Sequence, residues 1–488
     1  LHYKVKAKTA TPPSFLPQPV LAPLSSFAFR LAPTPMLERL RIQNFKSWQD
    51  TGDMAFGSLT GFFGTNSSGK SSILQFLLML KQTVESSDRS RVLHFGDDKS
   101  YVDLGTMDDI LHNHTIPSEL SFSFEWKDFD AYSSSNDDLS NLFSLFPNEP
   151  YKFSTTISAA NNEIVLDQFS YQKNNYSYTF ISQKGTAQRV YKLILSTIDN
   201  PQSEEIEGTF KNPYNFYGVP NDLYLTHPAI ENELQEVEQS FYHLFDSIYY
   251  LGPLREFPKR TYVWSGGSSS SIGNRGEYAV SALLSAYGQG LTIRIEEERK
   301  MRTVEEHVAH WLKELGLIYS FKVQPIAPNR KEYEVRIQRT AESASVFLTD
   351  VGFGVSQILP VLVLLFYVPE GSTVILEQPE IHLHPAVQAG LADVFIDAIK
   401  RRKVQIILES HNEHLLQRLQ RRIAEEVISQ EEIKLYFTSI EEGRSKLTTL
   451  ELDEYGNIGN WPKGFFGDAF AESAAKTKAE MKRKLRQQ

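Results

Sequence analysis

The sequence predicts an α/β protein: a mixed sheet built round a phosphate-binding loop, with a strand-rich first lobe and an inserted α/β region. Three observations carry this expectation. Residues 64–71 read Gly-Thr-Asn-Ser-Ser-Gly-Lys-Ser, between an apolar strand at 59–63 and a strong helix former at 72–80. Residues 115–250 alternate apolar and polar in short runs, the pattern of half-exposed strands. Two later apolar strands, at 373–377 and 404–408, run into acidic residues.

The loop comes first because it is the most specific. Gly64, Thr65, Asn66, Ser67, Ser68, Gly69, Lys70, Ser71 and Ser72 form a glycine-bounded turn that opens a helix. Such a turn presents successive backbone N–H groups, and the helix N-terminus adds partial positive charge. Lys70 is placed to reach the β- and γ-phosphates of ATP, and the Ser71 hydroxyl to hold Mg²⁺. A chance glycine-serine turn would not come full length and in this strand-to-helix context.

Bulk properties narrow the rest. The 488 residues suit two or three domains, and 41% hydrophobic residues allow a large core. There is no cysteine, which excludes disulfides, thiolate metal sites and cysteine nucleophiles and fits a cytoplasmic protein. No run of about 18 uncharged apolar residues occurs, so no membrane partner is expected. A net charge of −10 means that any nucleic-acid binding must rest on local basic patches. Residues 1–35 hold seven prolines and no acidic residue. They read as a disordered leader or as translated upstream sequence before Met36, the second being favoured because strand-like residues start at once at 37.

Along the chain, strands are expected at 37–45, 59–63, 120–124, 176–180 and 191–195, with Asn/Ser/Asp-rich loops at 133–141, 161–162 and 174–175. A helix at 229–245 leads into a strand at 247–251 and the segment Gly252-Pro253-Leu254-Arg255. A Gly/Ser tract at 265–271 reads as a loop, followed by helices near 279–287 and 304–315 and strands at 333–339 and 345–348. No internal repeat is present.

The second half of a nucleotide site is legible at 350–411. The strand 373–377 ends in Glu377, a carboxylate suited to Mg²⁺ directly or through water, 307 residues beyond Lys70. Before it, Gly352, Gly354, Ser356 and Gln357 precede an apolar helix at 358–366 and offer a second anion-binding helix end. Two such ends are needed only if two molecules share the nucleotide. After the strand 404–408 comes Glu409-Ser410-His411, where a histidine at a strand's carboxyl end can reach a γ-phosphate.

Together, GTNSSGKS, DVGFGVSQ, ILEQPEIHLHP and ESH resemble the ATP-binding-cassette-type ATPases of the SMC, RecF and OLD group, over roughly residues 36–417. The resemblance implies an ABC/RecF-like P-loop NTPase fold that hydrolyses ATP and forms a homodimer through an ATP sandwich. The loop of one subunit would face the Gly354/Ser356 signature of the other. His382, Leu383, His384 and Pro385 match the dimer-contacting loop, and His411 the switch histidine. Relatives usually carry a second carboxylate where this chain has Gln378, and an amide cannot take a proton at neutral pH. Glu380 takes that role, or His411 with bound water suffices, or hydrolysis is slow and the ATP-bound dimer acts as a sensor or clamp. On this resemblance 36–115 is the first half of the ATPase domain, 116–250 a strand-rich lobe or insertion, and 251–345 an α/β and helical region. The second half spans 346–450, and 451–488 is a C-terminal segment with a basic tail.

A closer resemblance is to stand-alone bacterial anti-phage ATPases of the Septu type, through EQPEIHLHP, Tyr250-Leu251-Gly252-Pro253-Leu254-Arg255 and Asn460-Trp461-Pro462-Lys463-Gly464-Phe465-Phe466. It implies an effector nuclease partner of HNH or another type. The alternatives are a RecF-type repair ATPase that binds DNA itself and an ATP-dependent scaffold with little turnover. No nuclease site is evident, and no long heptad arm of a chromosome-structuring protein. His382 and His384 could ligate a metal, although a dimer contact is preferred. Basic runs at 400–403, 418–422 and 476–486 are solvated helix faces or contacts to DNA or RNA phosphates.

Overall fold

Alternation from residue 37 onward makes a long strand, β1 (Thr34–Phe45), that buries Leu40, Ile42 and Phe45. The computed structural model describes residues 34–114, 119–129, 149–160, 163–183, 190–198, 203–211, 213–228, 230–269, 271–297 and 299–462. In it β1 pairs antiparallel with β2 (Trp48–Asp50) and β3 (Met54–Ala55), and the chain then leaves this sheet through β4 (Leu59–Gly64). After helix α1 (Lys70–Val84) and the short α2 (Met107–Ile110) it returns. Strands β5 (Glu119–Phe129), β6 (Tyr151–Ala160), β7 (Glu163–Lys173), β8 (Tyr176–Ser182), β9 (Tyr191–Thr197) and β10 (Ser203–Phe210) extend β1 as antiparallel neighbours. The result is one nine-stranded sheet.

One face of this lobe is aromatic. Phe122, Phe124, Trp126 and Phe153 are buried, and the last three meet Phe241 of α4 (Glu231–Asp246), which follows the short α3 (Asn221–Thr226). Ring centroids of Phe124 and Phe241 lie 5.2 Å apart, and those of Phe76 on α1 and Phe122 lie 5.0 Å apart. Edge and offset contacts of this kind add to the burial of large apolar area.

The second sheet carries the site. Its order is β11 (Ile248–Leu251), β18 (Thr373–Glu377), β19 (Gln405–Glu409), β4, β20 (Ile433–Glu441), β21 (Arg444–Leu450). All neighbours are parallel except the β20–β21 pair. Side chains alternate between two cores, Ile375 and Ile407 facing the aromatic lobe and α1, and Val374, Leu376, Ile406 and Leu408 facing the opposite layer. That layer holds α5 (Ala279–Gln289), α6 (Val304–Glu314), α7 (Phe353–Tyr367), α8 (Pro385–Arg402) and α9 (Glu413–Ala424). The hairpin β13 (Thr292–Ile295) and β14 (Lys300–Thr303) lies between α5 and α6 in the chain. Strands β12 (Tyr262–Val263), β15 (Ser320–Pro325), β16 (Glu332–Gln338) and β17 (Val346–Phe347) make a small third sheet.

One local expectation is corrected. Helix α7 starts at Phe353 rather than 358, so Gly354, Ser356 and Gln357 lie inside its first turns, and Pro360 sits within it. Packing of Val355 and Ile358 into the core overrides the low helix propensity of the glycine and the proline. The leader at 1–35, the polar loops at 133–141 and 161–162, the first residue of the helix expected at 229, Ser270 of the Gly/Ser tract, residues 463–466 and the tail at 476–488 fall wholly or partly outside the described residues. Among the described residues, no helix is long and apolar enough to cross a membrane.

Candidate functional site

The carboxyl ends of five parallel strands lie on one edge of the central sheet, the position where open α/β sheets bind ligands. From β4 the chain turns through 64–69 into α1. Gly64 and Gly69 have φ of +138° and +94°, and a Cβ on Gly69 would come within 2.8 Å of Trp48 Nε1, so only glycine fits there. Trp48 Nε1 donates to the Gly69 carbonyl at 3.0 Å, and the Ser68 hydroxyl donates to the Thr65 carbonyl at 2.7 Å. These bonds hold the loop from behind. No side chain caps α1, so its first N–H groups stay directed at the turn.

Lys70 is buried, and its Nζ donates to the carbonyls of Gly64 at 3.2 Å and Thr65 at 2.7 Å. Burial lowers its pKa, and the charge of Glu409 opposes that. The Ser71 hydroxyl donates to Glu409 Oε2 at 2.7 Å across 338 residues of sequence. Ser47, Asn66, Ser67, Ser68, Gly69, Lys70, Ser71, Ser72, Gln75, Gln378, Glu409 and His411 enclose a polar cavity of about 520 Å³, within the range of small-molecule sites.

The two strand-end carboxylates are register partners, Glu377 beside Glu409. Glu377 Oε1 accepts from the Tyr250 hydroxyl at 3.1 Å. Burial, and next the charge of Glu409, push Glu377 up to about 7. Burial also raises Glu409, against the pull of Ser71 and Lys70. Gln378 has φ of +44°, and its N–H donates to the Glu409 carbonyl at 2.9 Å, tying the two strand ends together. Glu380 is buried; its Oε1 accepts from the Ser410 hydroxyl at 2.7 Å and from the His411 N–H at 3.0 Å. Burial lowers the His411 pKa, and Lys70 lowers it further, so its ring is neutral at pH 7.

Over residues 36–416, more than half of the chain, the sequence matches the AAA ATPase domain family. The chain belongs to that family. Residues 428–475 match a second family, described as a protein of unknown function (DUF3696). No curated protein matches the sequence significantly. Solved structures similar to this AAA ATPase domain chain include an Smc head bound to the C-terminal winged-helix domain of ScpA, with 11% identity, 86% of this chain and 98% of that chain covered, and a TM-score of 0.41. Another is the SMC head domain from Thermotoga maritima, with 12% identity, coverage of 85% and 99%, and a TM-score of 0.36. A third is an Smc head with an extended coiled coil bound to the C-terminal domain of ScpA, derived from Pyrococcus furiosus, with 11% identity, coverage of 92% and 100%, and a TM-score of 0.38.

Within this AAA ATPase domain chain, the sequence-predicted residues fall into two groups. Residues 66–72, Gln378 and His411 line one cavity, with Gly64 and Thr65 at its Lys70 end; Glu377, the last residue of β18, and the buried Glu380, which bonds Ser410, are not among the lining residues. Gly352, Gly354, Ser356 and Gln357 do not line it; Ser356 is buried, its hydroxyl donating to the Phe353 carbonyl at 2.7 Å. His384 caps α8, accepting from the Ala386 N–H at 3.3 Å, and His382 lies against Phe353 with ring centroids 5.2 Å apart. No cluster of three or more His, Cys, Asp or Glu suited to a metal occurs among the described residues. Sequence reasoning gave no site role to Glu409, nor to Tyr250 and Arg255, which it quoted only within the segment 250–255. Glu409 repeats the signal that marked Glu377, an apolar parallel strand ending in a carboxylate.

Among the described residues, the arginines of the basic runs at 400–403 and 418–422 are engaged. Arg401 bonds Asp397 at 2.5 Å and Glu297 at 2.8 Å, and Arg402 bonds Glu370 at 3.0 Å. Arg418 and Arg422 each bond Asp393 at 2.6 Å, and Arg421 bonds Glu425 at 2.7 Å. These guanidinium groups already serve the packing of α8 and α9.

Proposed function

We propose that this chain binds ATP with Mg²⁺ and hydrolyses it, closing as a homodimer around two nucleotides in the ABC/RecF manner. The observation that carries the reading is the convergence of Lys70, Ser71, Gln378, Glu409 and His411 on one polar cavity at a helix N-terminus. The donors fit Mg²⁺, because a serine hydroxyl and the carboxylates of Glu377 and Glu409 are hard oxygen ligands. Ser71 and Glu377 remain the proposed ligands; Glu409 joins them because it already bonds Ser71. Bound Mg²⁺ would neutralise charge between the β- and γ-phosphates. Gly352, Gly354, Ser356 and Gln357 have no role in the cavity of their own chain, which suits a contact with the nucleotide of a second copy. Ser356→Arg therefore leaves ATP binding by the single chain intact and blocks closure. Sedimentation velocity with ATP and Mg²⁺ tests this: wild type shifts to dimer and the variant does not, whereas an unchanged shift contradicts the assignment.

Turnover is slow in this reading. Gln378 cannot act as a base, and Glu380 is held by Ser410 and His411. Without a general base the rate falls by on the order of 10²–10⁴. Glu380→Gln slows phosphate release further in a steady-state assay; several turnovers per second, unaffected by that substitution, would contradict a long-lived ATP-bound clamp.

The biological setting follows the sequence resemblance. The dimer is proposed as the sensor or regulatory subunit of a bacterial anti-phage system that gates a separate effector nuclease, in the cytoplasm. Nuclease activity that depends on ATP in a complex with an HNH-type partner supports this. Turnover stimulated by DNA or RNA without a partner favours the RecF-type alternative instead, and ATP binding without turnover favours the scaffold.

A further inference from the structure

Arg255 lies four residues beyond Leu251, in the segment that leaves the carboxyl end of β11 beside Glu377. Its relative exposure is 6%, and none of its three guanidinium nitrogens has a hydrogen-bond partner among the described residues. An unpaired buried cation is costly, and each such group in a folded chain asks for an explanation. The carboxylates whose charges act on Arg255 are Glu377 and Glu380. One of them has a matching deficit. Glu380 Oε2 is buried without a partner, while Oε1 is fully used by Ser410 and His411. A cation lacking acceptors and a carboxylate oxygen lacking donors therefore sit in one electrostatic neighbourhood, unjoined.

We propose that Arg255 is a positioning residue for the ATP hydrolysis proposed above: filling of the nucleotide site brings its guanidinium onto Glu380 Oε2. That pair fixes Glu380, which through its other oxygen holds the Ser410 hydroxyl and the backbone of His411 at the cavity wall. A charge-assisted pair of this kind is strong and directional, and it converts two orphaned groups into one satisfied unit when the site is filled. The inference rests on the ATPase reading.

The test uses full-length wild type, Arg255→Met, Arg255→Lys, Glu380→Gln and the Arg255→Met/Glu380→Gln double variant. Steady-state turnover, affinity for a fluorescent ATP analogue and thermal unfolding of the nucleotide-free chain are measured. A misplaced group typically costs about 10²-fold, so Arg255→Met lowers kcat by about that factor, with analogue affinity unchanged and an unfolding temperature no lower than that of wild type. Arg255→Lys restores part of the rate, and the double variant is no slower than the slower single variant. Wild-type turnover in Arg255→Met overturns the proposal. So do losses that add in the double variant, or a fall in affinity and unfolding temperature together, which marks a structural arginine. Absence of Lys70-dependent turnover in wild type overturns the ATPase reading itself and this proposal with it.

Discussion

Lys70→Ala removes ATP binding. The Lys70 ammonium is the cation of the loop, held over the turn by the carbonyls of Gly64 and Thr65 and facing Glu409. Bonds from a charged donor to phosphate are worth roughly 1.5–3 kcal/mol each, and two of them correspond to more than about 10²-fold in affinity. Isothermal titration with ATP and Mg²⁺ gives saturable heat for wild type and none for the variant. The nucleotide-free variant still folds, because the loop keeps the Trp48, Ser68 and Thr438 contacts that hold it from behind. Saturable heat in the folded variant would show that nucleotide binds elsewhere.

Glu377→Gln has the second largest effect, and it moves two quantities in opposite directions. The glutamate is raised to about 7, first by burial and then by the neighbouring charge of Glu409. A metal ligand must be ionised, so the apparent Mg²⁺ affinity of wild type falls, and turnover needs more Mg²⁺, as pH falls through about 7. The substitution costs on the order of 10²–10³ in kcat and reduces that pH dependence to the part carried by Glu409, which burial also raises. Stability goes the other way. A carboxyl whose folded pKa is raised contributes stability that is complete below its unfolded value and lost as pH rises through about 7. The uncharged glutamine avoids this loss, so the nucleotide-free variant melts above wild type at about pH 8 and level with it at about pH 5. A variant with normal turnover, or one that melts lower at alkaline pH, contradicts the role given to Glu377.

Much of this site was legible in the residues because it is written in local patterns. The loop at 64–71 needs glycines at positive φ, and the apolar runs at 373–377 and 404–408 mark the buried strands Thr373–Glu377 and Gln405–Glu409. What the sequence did not reveal is adjacency. Nothing local says that β4 and β19 are neighbours, so Glu409 was passed over although it, and not Glu377, bonds Ser71. Arg255 carries no periodic signal at all; its burial comes from the tertiary path of 252–256 alone. Strands β6, β7 and β10 and the β13–β14 hairpin were not singled out, because partial exposure and polar residues blur their alternation. The early start of α7 was missed for the opposite reason, since packing there outweighed two poor helix formers.

The most direct test is the structure of the chain with Mg²⁺ and a non-hydrolysable ATP analogue. The account predicts triphosphate wrapped by the backbone of 64–71, Lys70 on the terminal phosphates, and the metal between Ser71 and the strand-end carboxylates of Glu377 and Glu409. Analogue density away from this edge of the sheet, or a metal that touches neither Ser71 nor either carboxylate, would contradict it.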